Sequence, residues 1–235
     1  MAVQGMRLHI RAARISRGDW SLAAEGTFRD GVHLVSGDVG SGKSTLALMM
    51  AGLLPPEHGN IEQEGISLRM ISLQFPEYQI TGSTVAEECE SWGLDWKEIL
   101  HEVNLMGKCN VAPLTLSRGE LKRLHLACIL AKKYDLLLLD EPFSSLDARE
   151  KERICEKISR RTGEITILFT HEQATFPRID QIWEIEQGIL KDRGVVPDAL
   201  VRWGHAPALI KKLIANGRCL KNISPADLME AGCTM

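Results

Sequence analysis

The residues Gly37-Asp38-Val39-Gly40-Ser41-Gly42-Lys43-Ser44 occupy the spacing G-x-x-x-x-G-K-[ST], whose chemistry is the holding of a phosphate chain. Val32-His33-Leu34-Val35 before them reads as a buried strand and Thr45 to Leu54 after them as a helix, the setting this pattern needs. Glycines at 37, 40 and 42 admit backbone angles that a Cβ resists. Successive N–H groups, those of Asp38, Val39 and Ser41 among them, can then point into one concavity at the positive end of the following helix. Lys43 reaches the outer phosphates, Ser44 offers its hydroxyl to Mg²⁺, and Thr45 lies near enough to help hold the phosphates. The bland alternative is a glycine-rich turn with no ligand; the pattern arises by chance in roughly one chain in a hundred of this length.

Two carboxylates supply the next chemistry. Asp135-Leu136-Leu137-Leu138-Leu139-Asp140-Glu141 is an apolar run ending in acids, which reads as a strand buried on both faces whose C-terminal end carries reactive groups. Asp140 suits Mg²⁺, held through its water shell, and Glu141 suits the orientation or deprotonation of an attacking water. Taken alone, the same residues describe a core strand with two solvated acids. Leu116-Ser117-Arg118-Gly119-Glu120 opens the helical pattern Leu121, Leu124, Ala127, Cys128, Ala131. Ser117 reads as its N-cap, and Ser-x-x-Glu is a capping box. Ser144-Ser145-Leu146-Asp147 reads as a turn before a charged helix at 149–161, and His171 follows the strand Ile165 to Phe169.

In this order the phosphate loop, the Ser117 segment and the Asp140-Glu141 pair make the chain similar to the ATP-binding cassette (ABC) ATPases, and the similarity covers nearly its whole length. The resemblance implies that ATP and Mg²⁺ are bound. It identifies Ser117, Arg118, Gly119 and Glu120 as the signature loop, which contacts the γ-phosphate held by an opposite subunit. Asp147 becomes the D-loop contact to that subunit, His171 the switch histidine, and Gln74 the Q-loop residue that coordinates Mg²⁺ and senses a membrane partner. Arg118 and Glu120 depart from the family's L-S-G-G-Q, while Ser117 and Gly119 keep it. The family usually stacks an aromatic residue on adenine near the N-terminus; Trp20 is the candidate in this stretch, with a core or hairpin tryptophan as the alternative.

Gln74-Phe75-Pro76-Glu77-Tyr78-Gln79 with Thr84-Val85-Ala86-Glu87-Glu88 is similar to the pattern of energy-coupling factor (ECF) transporter ATPases. There the second glutamine and the acidic run lie where a membrane subunit docks. The implied function is the hydrolysis of ATP to energise a membrane transporter, an importer of a vitamin or metal ion. The chain would act as a homodimer, or as a heterodimer with a related ABC ATPase, with ATP sandwiched between subunits at the cytoplasmic face of the membrane. A soluble ABC-type ATPase acting on protein or nucleic-acid partners is the alternative.

The elements must position these groups. Leu8 to Phe28 reads as short strands around a turn at Arg17-Gly18-Asp19, and Val85 to Thr115 as helical. Only 43 positions separate Gln74 from Ser117, which predicts a trimmed helical lobe. The expected fold is α/β, a phosphate-loop ATPase of ABC type. It has a mixed central sheet, an N-terminal antiparallel β lobe, a small α-helical lobe at about 82–130 within a 1–194 ATPase domain, and a helical extension at 195–235. Within that extension the segments at Pro197, Ala208 and Ser224 read as two or three short capped helices.

A length of 235 residues, with 44% hydrophobic and 25% charged content, supplies a substantial core, and a net charge of −3 with no basic stripe argues against a nucleic-acid surface. No apolar run approaches the roughly 18 residues that span a bilayer, and Met1 to His9 lacks the apolar core of a signal peptide. Cysteines at 89, 109, 128, 155, 219 and 233 show no C-x-x-C pairing, so reduced thiols are expected.

Overall fold

The computed structural model describes residues 5–232; Cys233 lies outside them. Strands β1 (Arg7–Arg17) and β2 (Trp20–Arg29) form an antiparallel hairpin turned at Gly18, with Leu8 and Ile10, then, past a bulge at Ala12, Ala13 and Ile15 buried. This is the period-2 pattern of a sheet with one covered face. β3 (Gly31–Gly37) leads through the phosphate loop into α1 (Lys43–Met50), followed by β4 (His58–Glu64) and β5 (Arg69–Ser72). After a 3₁₀ turn at Pro76–Gln79 come α2 (Val85–Ser91), α3 (Trp96–Glu102) and α4 (Arg118–Leu130). β6 (Leu136–Asp140), α5 (Ala148–Ser159), β7 (Ile165–Phe169), β8 (Gln181–Glu186) and β9 (Ile189–Val195) complete the strands. The short helices α6 (Ala199–Arg202), α7 (Ala208–Ala215) and α8 (Pro225–Glu230) end the described chain.

One sheet of nine strands runs in the order β4-β1-β2-β9-β8-β3-β7-β6-β5. The block β8-β3-β7-β6-β5 is parallel, and β9 returns antiparallel beside β8 to join the hairpin side. In β6 all four leucines are 0% exposed. Leu136 and Leu138 face α1 and the hairpin, whereas Leu137 and Leu139 face α4, α5 and the C-terminal helices, as the alternation of a strand dictates. Each such leucine contributes about 1.5–3 kcal/mol of burial free energy. This anchoring fixes the strand's C-terminal end, where Asp140 and Glu141 stand.

α2, α3 and α4 share a third core around Val85, Leu100, Leu121 and Leu124. Their N-termini are capped by Thr84, Asp95 and Ser117, the first and last as capping boxes. α6, α7 and α8 contribute Leu200, Ile210 and Leu228, and the segments beside them Trp203 and Ile223, to the same core as β3, β6 and β7.

Several local expectations are corrected. α1 starts two residues before Thr45 and ends at Met50 rather than Leu54, because Gly52 takes a left-handed φ of 75° and its N–H bonds Met49 O, a glycine stop. β4 and β9 carry no apolar run for sequence to flag. Of the three C-terminal helices only α8 has a side-chain cap, Ser224. The Gln79 amide is folded inward, accepting from Leu73 N at 2.7 Å and donating to Ile71 O at 2.8 Å. Glu88 is 0% exposed and accepts from Thr81 N, Gly82 N and the Trp92 indole. Both side chains therefore pin the loop after β5. Phe75 and Tyr78 are the exposed apolar groups of that segment.

Candidate active site

The phosphate loop joins the end of β3 to the start of α1. Gly40 and Gly42 take left-handed φ values of 81° and 108°, which a side chain resists. Gly42 has a second constraint: a Cβ there would stand 2.7 Å from Cζ2 of Trp20, so the hairpin tryptophan is pressed against the loop. The N-terminus of α1 has neither a side-chain cap nor an acid in its first turn. Its N–H groups are left for an anion.

Lys43 is bent back, its Nζ donating to Gly37 O at 2.8 Å and Asp38 O at 2.9 Å. The residue is 7% exposed, and burial lowers its pKa against the opposing pull of Glu141 and Asp140. The ammonium therefore waits on loop carbonyls beside two carboxylates, poised to exchange those acceptors for phosphate oxygens.

Asp140 ends β6, buried, with burial raising its pKa and the nearby Ser44 hydroxyl opposing that rise. Its Oδ1 has no hydrogen-bond partner among the described residues. An orphaned buried carboxylate oxygen is costly unless something completes it, and a carboxylate beside a hydroxyl is an oxygen set that Mg²⁺ accepts. Ser44 and Asp140 thus fit the ion, with Gln74 on the wall of the same cleft.

Glu141 adopts φ 46°, a left-handed backbone that costs a non-glycine residue on the order of 1–3 kcal/mol. Four contacts, with three successive residues, over-determine it. Its N–H bonds Phe169 O at 2.8 Å, its Oε2 accepts from Thr170 Oγ1 at 2.9 Å, and its Oε1 accepts from His171 N at 3.2 Å and meets His171 Nδ1 at 2.7 Å. The end of β7 thereby holds the carboxylate that β6 presents.

A cleft of about 360 Å³ gathers Lys43, Ser44, Glu141 and His171, while Asp140, buried at the end of β6, does not itself line it. Val39, Gly40 and Gly42 to Thr45 of the loop and α1 line it, together with Gln74, Glu141 and His171 and, from the hairpin, Arg17 and Trp20. Ser117 to Glu120 and Asp147 do not line it. Ser117 caps α4, its hydroxyl facing Glu120 Oε2 at 3.0 Å. Glu120 also meets Lys108 Nζ at 2.7 Å; that contact and the Ser117 bonds pull its pKa down to about 2. Gly119 is required by packing, since a Cβ would lie 2.8 Å from Ser145 O. Arg118 is exposed, so a side chain there meets no such obstacle. Asp147 caps α5 through Glu150 N at 2.9 Å.

Sequence reasoning missed two groups. Arg17 reads as a turn residue because only the fold carries the end of β1 over the phosphate loop. Lys122 is 1% exposed on α4, its Nζ donating at long range, 3.4 and 3.3 Å, to Leu73 O and Gln74 O. Burial pushes its pKa down to about 8. The ammonium ties α4 to the loop that carries Gln74. Lys122→Met is expected to stabilise the fold by on the order of 1 kcal/mol, because the desolvation of the ammonium is met only by two long hydrogen bonds and by the more distant attraction of Asp140, Glu141 and Glu77. The same variant should lower ATP turnover through a loosened Gln74. Urea unfolding and hydrolysis rates check both halves, and a destabilised variant with normal turnover contradicts the assignment.

The profile of the ABC transporter family matches residues 27–144. A putative ABC transporter ATP-binding protein of Pyrococcus horikoshii is 34% identical over 190 residues, spanning 70% of this chain and 73% of its own length. The energy-coupling factor transporter ATP-binding protein EcfA of Syntrophomonas wolfei is 30% identical over 214 residues, or 77% and 78% of the two chains. Among solved structures, the ATP-binding subunit of an ABC transporter superposes with a TM-score of 0.70 at 20% identity, covering 89% of this chain and 98% of that one. A bacterial Atm1-family ABC exporter with ATP bound superposes at 0.72 and 22% identity over 93% of this chain, which spans 43% of the exporter. The chain belongs to the ABC transporter family, as one of its ATP-binding, ATP-hydrolysing subunits. No helix of the described residues is long and apolar enough to cross a membrane.

Proposed function

We propose that this chain energises an ECF-type importer of a vitamin or metal ion, working in pairs from the cytoplasmic face of the membrane. The observation carrying the reading is the similarity to a protein named EcfA over more than three quarters of both chains. The convergence of Lys43, Ser44, Gln74, Asp140, Glu141 and His171 on one side of the molecule supports it.

In the proposed cycle the triphosphate lies along Gly37 to Thr45, receiving backbone N–H groups and the Lys43 ammonium as it leaves the loop carbonyls. Arg17 and Trp20 offer a cation and a ring face for the base. When bound by Ser44, Asp140 and Gln74, Mg²⁺ supplies charge neutralisation to the phosphates. Glu141 takes the proton of the attacking water, and His171, hydrogen-bonded to the same carboxylate, fixes its orientation. Ser117 to Gly119 of a second subunit close over the nucleotide with Asp147 at the seam, excluding bulk water, so that catalysis is positional and electrostatic. Turnover by one subunit alone is therefore expected to be slow.

The testing experiment is affinity capture of Glu141→Gln with ATP and Mg²⁺ from detergent-solubilised membranes of the native cell, with mass spectrometric identification. One or two polytopic membrane proteins, alone or with a second ABC ATPase, are the expected yield, and they would also settle homodimer against heterodimer. Recovery of soluble proteins only, from a sample that binds ATP, transfers the assignment to a soluble ABC ATPase.

A further inference from the structure

The segment between α6 and α7 reaches back to the nucleotide cleft. Trp203 Nε1 donates to Ser36 Oγ at 2.7 Å, at the end of β3, and the backbone N–H groups of Gly204 and His205 donate to the buried Glu184 of β8 at 3.1 and 2.6 Å. The His205 ring then stands between two carboxylates. Its Nδ1 meets Glu184 Oε1, and its Nε2 lies 3.2 Å from Oδ1 of Asp38, a phosphate-loop residue.

The charged groups around this ring are Asp38 from the loop, Glu184 and Glu186 from β8, and Arg193 and Lys191 from β9, with His171 and Glu172 after β7 and Asp19 of the hairpin turn lining the cavities it borders. Lys211 of α7 donates to Gly204 O. Arg193 pairs with both Glu184 and Glu186, and Lys191 with Glu186. Burial would raise the Glu184 pKa, but the bonds from His205, Gly204 and Arg193 hold it below the usual carboxylate range. Asp38 has no such cation; His205 is its one ion-pair partner among the described residues. Its carboxylate is 85% exposed on the rim of a loop built to receive a triphosphate, where like charge opposes binding.

We propose that His205 is a positioning residue of the phosphate loop: supplied by the C-terminal segment, its imidazole anchors the Asp38 carboxylate and screens it from the incoming triphosphate. The ring can donate to Asp38 through an Nε2–H in either its neutral or its charged form, while Glu184 and the backbone bonds of Gly204 and His205 fix its place. The inference rests on the reading of Gly37 to Thr45 as the nucleotide loop.

The test measures the affinity of a fluorescent ATP analogue with Mg²⁺ for wild type, His205→Ala, His205→Gln, Asp38→Asn, the Asp38→Asn/His205→Ala double variant and a Lys43→Ala control, with thermal melting of each. His205→Ala is expected to weaken binding about 3- to 5-fold, the scale of one exposed charge pair. His205→Gln should match it while melting near wild type. Asp38→Asn placed in His205→Ala should restore affinity to within about 2-fold of wild type, because the carboxylate to be screened is gone. A histidine serving only to pack the C-terminal segment would gain nothing from Asp38→Asn. Unchanged affinity in both His205 variants, or a loss that Asp38→Asn does not relieve, overturns the proposal. Wild-type binding that is insensitive to Lys43→Ala overturns the loop reading itself, and this inference with it.

Discussion

Glu141→Gln is expected to bind ATP as tightly as wild type, to lose turnover by about 10²- to 10⁴-fold, the usual contribution of a positioned general base, and to accumulate as an ATP-dependent dimer. The replacement keeps the shape of the side chain and one acceptor oxygen. That oxygen can still receive the His171 N–H, and the Thr170 hydroxyl can reverse to accept from the new amide. The contacts that hold the unusual backbone at 141 therefore survive, while the group that takes a proton does not. Hydrolysis rates, together with size-exclusion chromatography with and without nucleotide, read both effects. Normal hydrolysis by the variant would move water activation to another residue.

Lys43→Ala is expected to act one step earlier, on binding itself. A hydrogen bond to a charged group contributes about 1.5–3 kcal/mol, so nucleotide affinity should fall on the order of 10- to 100-fold, read by titration calorimetry. The loop loses its internal clasp as well, since Nζ bridges the carbonyls of Gly37 and Asp38. An unaltered affinity would remove Lys43 from the site. The two variants thus separate: the first binds and stalls, the second scarcely binds.

How much of this was legible in the sequence depended on range. β3, β6 and β7 were readable because strands buried on both faces are continuous apolar runs, and Lys43, Ser44, Gln74, Glu141 and His171 because each sits by a strand end in a recognisable motif, whereas Arg17 of the same cleft was not. β4 and β9 were not readable: His58-Gly59-Asn60-Ile61-Glu62-Gln63-Glu64 and Ile189-Leu190-Lys191-Asp192 show weak or interrupted alternation, and pairing with a neighbour decides them. Gln79 and Glu88 looked like surface groups because amides and carboxylates usually are. Only the fold supplies the backbone donors and acceptors that draw them inward. Lys122 was invisible for a related reason, since a lysine in a helix reads as its solvated face until a third element covers it. The links from Trp203 to Ser36 of β3 and from His205 to Asp38 of the phosphate loop span 167 positions in both cases, beyond any local pattern.

The placement of Trp203, Ile210 and Leu228 in one core with Leu139 and Leu168 bears on how this protein can be recombined. A segment at the end of a chain invites exchange between relatives, as if it were an interchangeable cassette. Here an exchange after Val195 would replace side chains that interlock with the central strands, together with the histidine that meets the nucleotide loop. A chimera joined at that point is a graft across a packed interior, and it requires matched changes in β3, β6 and β7 to fold. The tail and the strands it covers are best regarded as one unit of inheritance, whose substitutions have to accumulate in concert.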